Sequence, residues 1–254
     1  MDVRLMAHTQ LSTDFFNDNM GFFDSVMTES SSGLTCGDGE LVTWLAIRNC
    51  YSSNRPSKIL AAEGRKYFLK PDKNNPNQSD ARRLIRSVHA QKHISTLEHI
   101  SFTFIVEGIS RSCLAQLTRH RTGFSFSVKG QRYVKFGSED KTGGFEAVVP
   151  QTIKDDELAT EIMNEAMESI QSWYDALRSL GIPSEDARAV LPNAAAVGLV
   201  VTANLSALLS FYHKRHAGSG AQKEITKLAE YFRIEVTDVE PWTADLFEAE
   251  IENR

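Results

Sequence analysis

Between Glu107 and Glu139 the sequence contains no aspartate or glutamate, yet that window holds Arg111, Arg119, Arg121, Lys129, Arg132 and Lys135. The chain as a whole is acidic, with a formal net charge of −5. Uncompensated cations close together repel, so such a window gains from an anionic partner. Arginine forks take phosphate by two parallel hydrogen bonds. Gln116, Arg119 and His120 stand at i, i+3 and i+4, a spacing that predicts one shared helix face. Arg132 and Tyr133 are expected to return on the next strand and close the same pocket. The bland alternative is a helix end whose cations complement the dipole. For Arg-His-Arg plus Arg132 without a nearby acid, a phosphate site is the better account.

Two further clusters carry reactive side chains. His93, Ser95, Glu98 and His99 fall within HISTLEH. The two histidines are not at a zinc-ligand spacing and no cysteine pair accompanies them, so no metal is expected. Glu98 and His99 read as capping or core groups, and His93 as a polar group at a pocket edge. Asn204 precedes a helical stretch and is a natural N-cap, while Arg215 lies near that helix's C-terminus. Gly218 and Gly220 do not follow a strand inside a βαβ unit, so no dinucleotide fingerprint is present. No P-loop and no nucleophile elbow occurs. Cys113 reads as packed core rather than as a nucleophile.

The elements that must position these groups are partly visible. Val3 to Thr9 reads as a first strand, and Thr28 to Gly39 as a Ser/Gly-rich loop. Helices are expected over Leu41 to Tyr51 and Ala81 to Ala90, with a surface loop over Pro71 to Ser79. Ile100, Phe102, Phe104 and Val106 alternate with Ser101, Thr103, Ile105 and Glu107, which predicts a strand with one apolar face. Gly108 is expected to break it, and Ser110 to cap a helix running to about His120. Ser125 to Phe136 reads as loop and strand. Asp155 to Leu180 is the clearest helix, with Leu158, Ile162, Ala166, Ile170, Trp173, Leu177 and Leu180 in steps of four or three. Gly181 and Pro183 stop it. Helices over Leu205 to His216 and Gln222 to Ile234 follow. The class is mixed α/β or α+β, and no linker divides it.

Composition bounds the rest. The 254 residues are 41% hydrophobic and 24% charged, the balance of a globular protein. No apolar run is long enough to span a membrane, and no signal-peptide core opens the chain. Three cysteines without close pairing suit a reducing compartment, so a cytoplasmic location is expected. An acidic chain with one short basic window argues against nucleic acid, and Phe124, Phe126 and Tyr133 read as core rather than stacking faces.

Together the clusters resemble the flavin-dependent thymidylate synthases. The carrying residues are HISTLEHISFTFIVEGISRS (93–112), RHRTGFSFSVKGQRYV (119–134), ARAVLPNA (187–194), VVTAN (200–204) and Arg215 with AQKEI (221–225), with weaker support from RNCY (48–51). The resemblance implies one domain over residues 1–254, with a central antiparallel or mixed sheet flanked by helices. It implies a homotetramer whose active sites are shared between subunits. It also implies reductive methylation of dUMP to dTMP, with methylenetetrahydrofolate as carbon donor, NADPH as reductant and bound FAD. The flavin does the hard chemistry and the protein positions and polarises, so no cysteine nucleophile is needed. Carried over residue by residue, Ser95, Arg119, His120, Arg121, Asn204, Ser206 and Ser210 would line the FAD. Gln116, Arg119, Lys129, Gly130, Gln131, Arg132, Arg188 and Arg215 would hold the nucleotide. Arg215 would stabilise charge developing on the pyrimidine, and His93 would sit on the folate side of the flavin; these two are the expected catalytic residues.

Several ligand positions depart from the family pattern. Gly130 stands where a serine is usual and Val128 where a polar or acidic residue is usual. Gly198 and Ser206 stand at arginine positions and Gly220 at a histidine position. Two alternatives follow: modification of a different pyrimidine nucleotide, such as hydroxymethylation, or a non-catalytic nucleotide-binding relative.

Overall fold

The computed structural model describes residues 1–29 and 36–252. A four-stranded antiparallel sheet in the order β1-β2-β4-β3 forms the centre, with β1 Asp2–His8, β2 Ser101–Ser110, β3 Phe124–Val128 and β4 Ala196–Asn204. The helices before β2 are α1 Thr13–Asp18, α2 Met20–Glu29, α3 Asp38–Tyr51, α4 Pro56–Phe68 and α5 Asp80–Ala90. A 3₁₀ turn, Ile94–Glu98, leads into β2, and α6 Arg111–Leu117 links β2 to β3. Between β3 and β4 lie α7 Gln151–Lys154, α8 Glu157–Ser179 and α9 Ser184–Ala187. The chain closes with α10 Leu205–Arg215, α11 Lys223–Val239 and α12 Ala244–Glu252. This mixed sheet-and-helix architecture is the expected class.

The alternation read from the sequence builds the core face. Ile100, Phe102, Phe104 and Val106 are all buried, and Phe104 meets Phe232 of α11 with ring centroids 4.6 Å apart. Val197, Leu199, Val201 and Ala203 of β4 share that face. On the opposite face Thr103 and Thr202, directly paired, join hydroxyls at 2.9 Å, and Ile105 and Val200 are exposed. A second, smaller cluster of Phe136, Tyr174 and Ala187 lies under α8 and α9.

Several expectations are corrected. Gly108 does not end β2: it takes φ +69 within a register shift between Val106 and Ile109, and the strand continues to Ser110. Ser110 does cap α6, accepting from the Cys113 amide at 3.0 Å, but that helix stops at Leu117. Arg119 and His120 therefore lie in the turn beyond it, not on a helix face with Gln116. β3 ends at Val128, so Arg132 and Tyr133 sit in a turn. Phe124 and Phe126 pack half-buried against the core, whereas Tyr133 is fully on the surface at 83% exposure. Thr28 and Glu29 belong to α2 and Asp38 and Gly39 to α3, Cys36 and Gly37 lie in the connection before α3, and residues 30–35 of that expected loop lie outside the described residues.

The largest difference concerns α8. Asp156 caps it, accepting from the Ala159 amide at 2.9 Å, so the helix starts at Glu157 rather than at the expected Asp155. Yet Tyr174 is its one buried residue, and Leu158, Ile162 and Trp173 of the apolar stripe are 60–65% exposed. Leu180, just past its end, is exposed too.

Candidate active site

The turn after α6 opens a cavity of about 280 Å³ lined by Ile94, Glu98, Arg119, His120, Arg121, Thr122, Gly123, Phe124, Asn204, Ser206, Ala207, Ser210 and Lys214. Two chain segments meet there for local reasons. Gly123 adopts φ +73, and a Cβ on it would stand 2.8 Å from the Asn204 amide group and from the Ala207 Cβ. Only glycine lets the turn approach this closely. The Asn204 backbone N–H then donates to the Gly123 carbonyl at 3.1 Å. The Asn204 side chain accepts from the Ala207 amide at 2.8 Å, capping α10. Asn204 is thus both the N-cap read from sequence and a cavity residue. Ser206, Ser210 and Lys214 follow at successive i+4 steps, so one face of α10 lines the cavity.

Arg215 joins this group through His120. Its Nε donates to His120 Nε2 at 3.2 Å, so that nitrogen carries the lone pair and Nδ1 carries the hydrogen. The imidazole sits edge-on to Phe211 at 4.9 Å. Burial, reinforced by the charges of Arg215 and Lys214, pushes His120 down to about 4. It is therefore neutral near neutrality, a cavity-lining residue whose Nδ1 keeps a hydrogen to donate. Among the described residues, Arg119 and Arg121 have no carboxylate partner, and Arg215 none beyond His120. The cavity can accept negative charge: three cations, a neutral histidine and two serine hydroxyls converge on it, against Glu98 alone.

Ser95 lies elsewhere. With His99, Asn49 and Cys50 it lines a neighbouring cavity of about 530 Å³ against α1 and α3. The 3₁₀ turn separates the two cavities, contributing Ile94 and Glu98 to one and Ser95 and His99 to the other. Glu98 and His99 are thus exposed cavity residues, contrary to the capping or core role expected for them. His93 is the exposed N-cap of that turn and lines neither cavity. Glu98 and Lys214 were not singled out for this cavity from sequence. The i+4 ladder from Ser206 is the signal that finds Lys214.

The expected nucleotide residues do not gather in one place. Gln116 bonds to Gln222 at 2.6 Å. Lys129 places its ammonium 5.9 Å from the Phe136 ring. Arg132, instead of closing the Arg-His-Arg pocket, pairs with Glu185 at 3.0 Å, and Arg188 bonds the Glu185 carbonyl at 2.9 Å. Gly130 and Gln131 lie in the same turn as Arg132. A Cβ on Gly130 would meet nothing closer than Tyr133 at 3.6 Å, and one on Gly198 nothing closer than 3.6 Å. The backbone demands glycine at neither position. Cys113 is buried and its thiol is pushed up to about 12, chiefly by burial, which agrees with a packing role. No cluster of potential metal ligands occurs among the described residues. No helix among them is long and apolar enough to cross a membrane.

Comparison with known proteins agrees with this geometry. A family model described as "Thymidylate synthase complementing protein" matches residues 35–242. The chain is 37% identical over 192 residues to a flavin-dependent thymidylate synthase of Geobacter sulfurreducens, covering 76% of this chain and 75% of that protein. It is 35% identical over 191 residues to one of Halobacterium salinarum, covering 67% and 76%. In fold it is similar to the UMP/dUMP methylase PolB from Streptomyces cacaoi bound with 5-Br dUMP, with a TM-score of 0.70 and 22% identity over 98% of this chain and 94% of that one. It is also similar to the thymidylate synthase ThyX of Helicobacter pylori with FAD and dUMP, with a TM-score of 0.62 and 22% identity over 99% of each chain. A match across most of the chain, on the same motifs that build the cavity, places this protein in the flavin-dependent thymidylate synthase family.

Proposed function

We propose that the protein converts dUMP to dTMP, taking the carbon from methylenetetrahydrofolate and the reducing equivalents from NADPH through FAD. The observation that carries this is the cationic cavity around Arg119, His120 and Arg121, with its hydroxyl ladder on α10. Arg119, Arg121 and Lys214 are matched to a diphosphate, and Ser206, Ser210 and the His120 Nδ1 hydrogen supply further donors. A dinucleotide is longer than one cavity of this size. The neighbouring cavity across the 3₁₀ turn, with Ser95 and His99, is suited to its remaining part. When bound, the flavin supplies the hydride and one-carbon chemistry.

The chain's own groups have definable tasks. Arg215 is fixed by its bond to His120 and keeps its terminal nitrogens for an acceptor. A fixed guanidinium beside the pyrimidine stabilises negative charge as it develops on the ring. His120 stays neutral, so it orients Arg215 without adding a competing charge. Arg132 and Arg188 form a separate cationic pair suited to the nucleotide phosphate, and His93 stands outside the cavities, where folate would approach.

Arg119 and, through His120, Arg215 belong to the Arg-His-Arg turn, whereas Arg132 and Arg188 are held apart from it at Glu185. This division supports a site shared between subunits. The exposed stripe of α8 supports a homotetramer, since contiguous exposed apolar side chains mark interfaces. One domain over residues 1–254, acting in the cytoplasm without nucleic acid, completes the reading.

A second reading keeps flavin and folate chemistry but changes the pyrimidine nucleotide. It is favoured by Gly130 and Val128, which withdraw polar groups from the nucleotide side although the fold leaves room for a side chain at Gly130. The test is nucleotide-dependent flavin oxidation and C5 hydrogen release with dUMP, dCMP and UMP. Folate- and NADPH-dependent release from dUMP is expected. Turnover with another nucleotide and none with dUMP selects the second reading. A colourless protein that takes up no FAD removes both and leaves a binding protein.

A further inference from the structure

One short segment holds both Arg132 and Arg188 from behind. Glu185 Oε2 accepts from Arg132 Nε at 3.0 Å, while the Glu185 backbone carbonyl accepts from Arg188 Nε at 2.9 Å. Ser184 Oγ donates to the Arg132 carbonyl at 3.0 Å, tying the two segments together. Both arginines are gripped at Nε, at the base of the fork. Among the described residues, neither uses its terminal Nη nitrogens in a hydrogen bond. A guanidinium anchored in this way loses its swing yet keeps its outer edge for two parallel bonds to an oxyanion.

We propose that Glu185 is a positioning residue for nucleotide binding: its carboxylate aims Arg132 and its carbonyl aims Arg188 at a common phosphate. This rests on the reading that these arginines hold the nucleotide phosphate. The Arg132–Glu185 pair is about half exposed on both sides, so it adds little to stability. What it fixes is direction. A carboxylate acting as a built-in competitor of phosphate would take the fork's outer edge, and Glu185 does not.

The test uses the full-length FAD-loaded protein with dUMP, measuring KM, kcat and the equilibrium Kd from flavin absorbance. Glu185→Ala is expected to raise KM and Kd roughly five-fold, with kcat at saturating dUMP and Tm unchanged. Glu185→Gln retains an oxygen for Arg132 Nε and is expected to stay within about two-fold of the unaltered protein. With Arg132→Ala already present, Glu185→Ala should add nothing, because the carbonyl that holds Arg188 survives the substitution. Unchanged or tighter binding in Glu185→Ala overturns the inference, as does Glu185→Gln binding as weakly as Glu185→Ala. If Arg132→Ala and Arg188→Ala themselves leave dUMP affinity unchanged, the phosphate reading is what has failed.

Discussion

At the scale of single residues, the contact between Arg215 and His120 separates two tasks. Arg119 and Arg121 face the cavity without carboxylate partners among the described residues, so they are free to take a diphosphate. Arg119→Ala is expected to weaken FAD retention by roughly ten- to a hundred-fold, the value of a charge-assisted bond, read as the flavin content of purified protein. Arg215→Ala is expected to keep its flavin and lose turnover, since the proposed role of its open nitrogens is on the pyrimidine; an unchanged kcat would refute that role. His120 gives a pH signature with a definite sign. Its folded pKa lies at about 4, below the ordinary 6.5. The unfolded chain therefore takes up a proton that the folded one refuses. The stability His120 contributes is present above about 6.5 and is lost as pH falls toward 4. Thermal unfolding of His120→Gln across that range should show a flatter acid limb than the unaltered protein.

At the scale of elements, the cavity exists because a turn and a helix start touch at Gly123 and Asn204. A side chain at Gly123 would need a left-handed backbone and would press on Asn204 and Ala207 from 2.8 Å. Gly123→Ala is expected to cost ~1–3 kcal/mol in denaturant unfolding and to lower flavin content with it. Asn204→Ala removes the cap of α10 at a cost of ~0.5–2 kcal/mol. Because Ser206, Ser210 and Lys214 ride on that helix, the loss should reach FAD affinity although Asn204's cap is made to the backbone. If Asn204→Ala lowers stability and leaves FAD affinity intact, α10 is held by the packing of its Phe211 against Phe124 and Phe232 rather than by its cap.

At the scale of the whole molecule, α8 is the element that the chain itself leaves unfinished. Tyr174 anchors it, accepting from the Phe136 amide at 3.3 Å, while Ile162 and Trp173 face outward on the same side of the helix. Ile162→Glu with Trp173→Glu should leave the fold's secondary structure intact and reduce the mass measured by light scattering. On the proposed reading of a site shared between subunits, nucleotide affinity should fall in parallel. A full-sized assembly in that variant would show that this stripe is not the contact between subunits.

The sequence by itself determined the parts whose signals are local. Strict alternation from Ile100 to Val106 marked a strand with a buried face, Ser110 and Asn204 announced their caps, and the acid-free window with its motifs pointed to the family. Hydrogen bonds to a cap and burial of every second side chain depend on neighbours a few residues away, so they are legible without the fold. α1, α2, α4, α7, α9 and α12 were not read; α1, α7 and α9 are too short to show a period. Only the tertiary structure decided which expected ligands meet. It drew Asn204 and Lys214 to the Arg-His-Arg turn, left Ser95 across a 3₁₀ turn, and sent Arg132 to Glu185. It also showed that the most regular apolar stripe, on α8, is exposed at Leu158, Ile162 and Trp173 while Leu177 packs inward. Periodicity reports that one helix face is apolar; what covers that face depends on chain segments, or chains, far away in sequence.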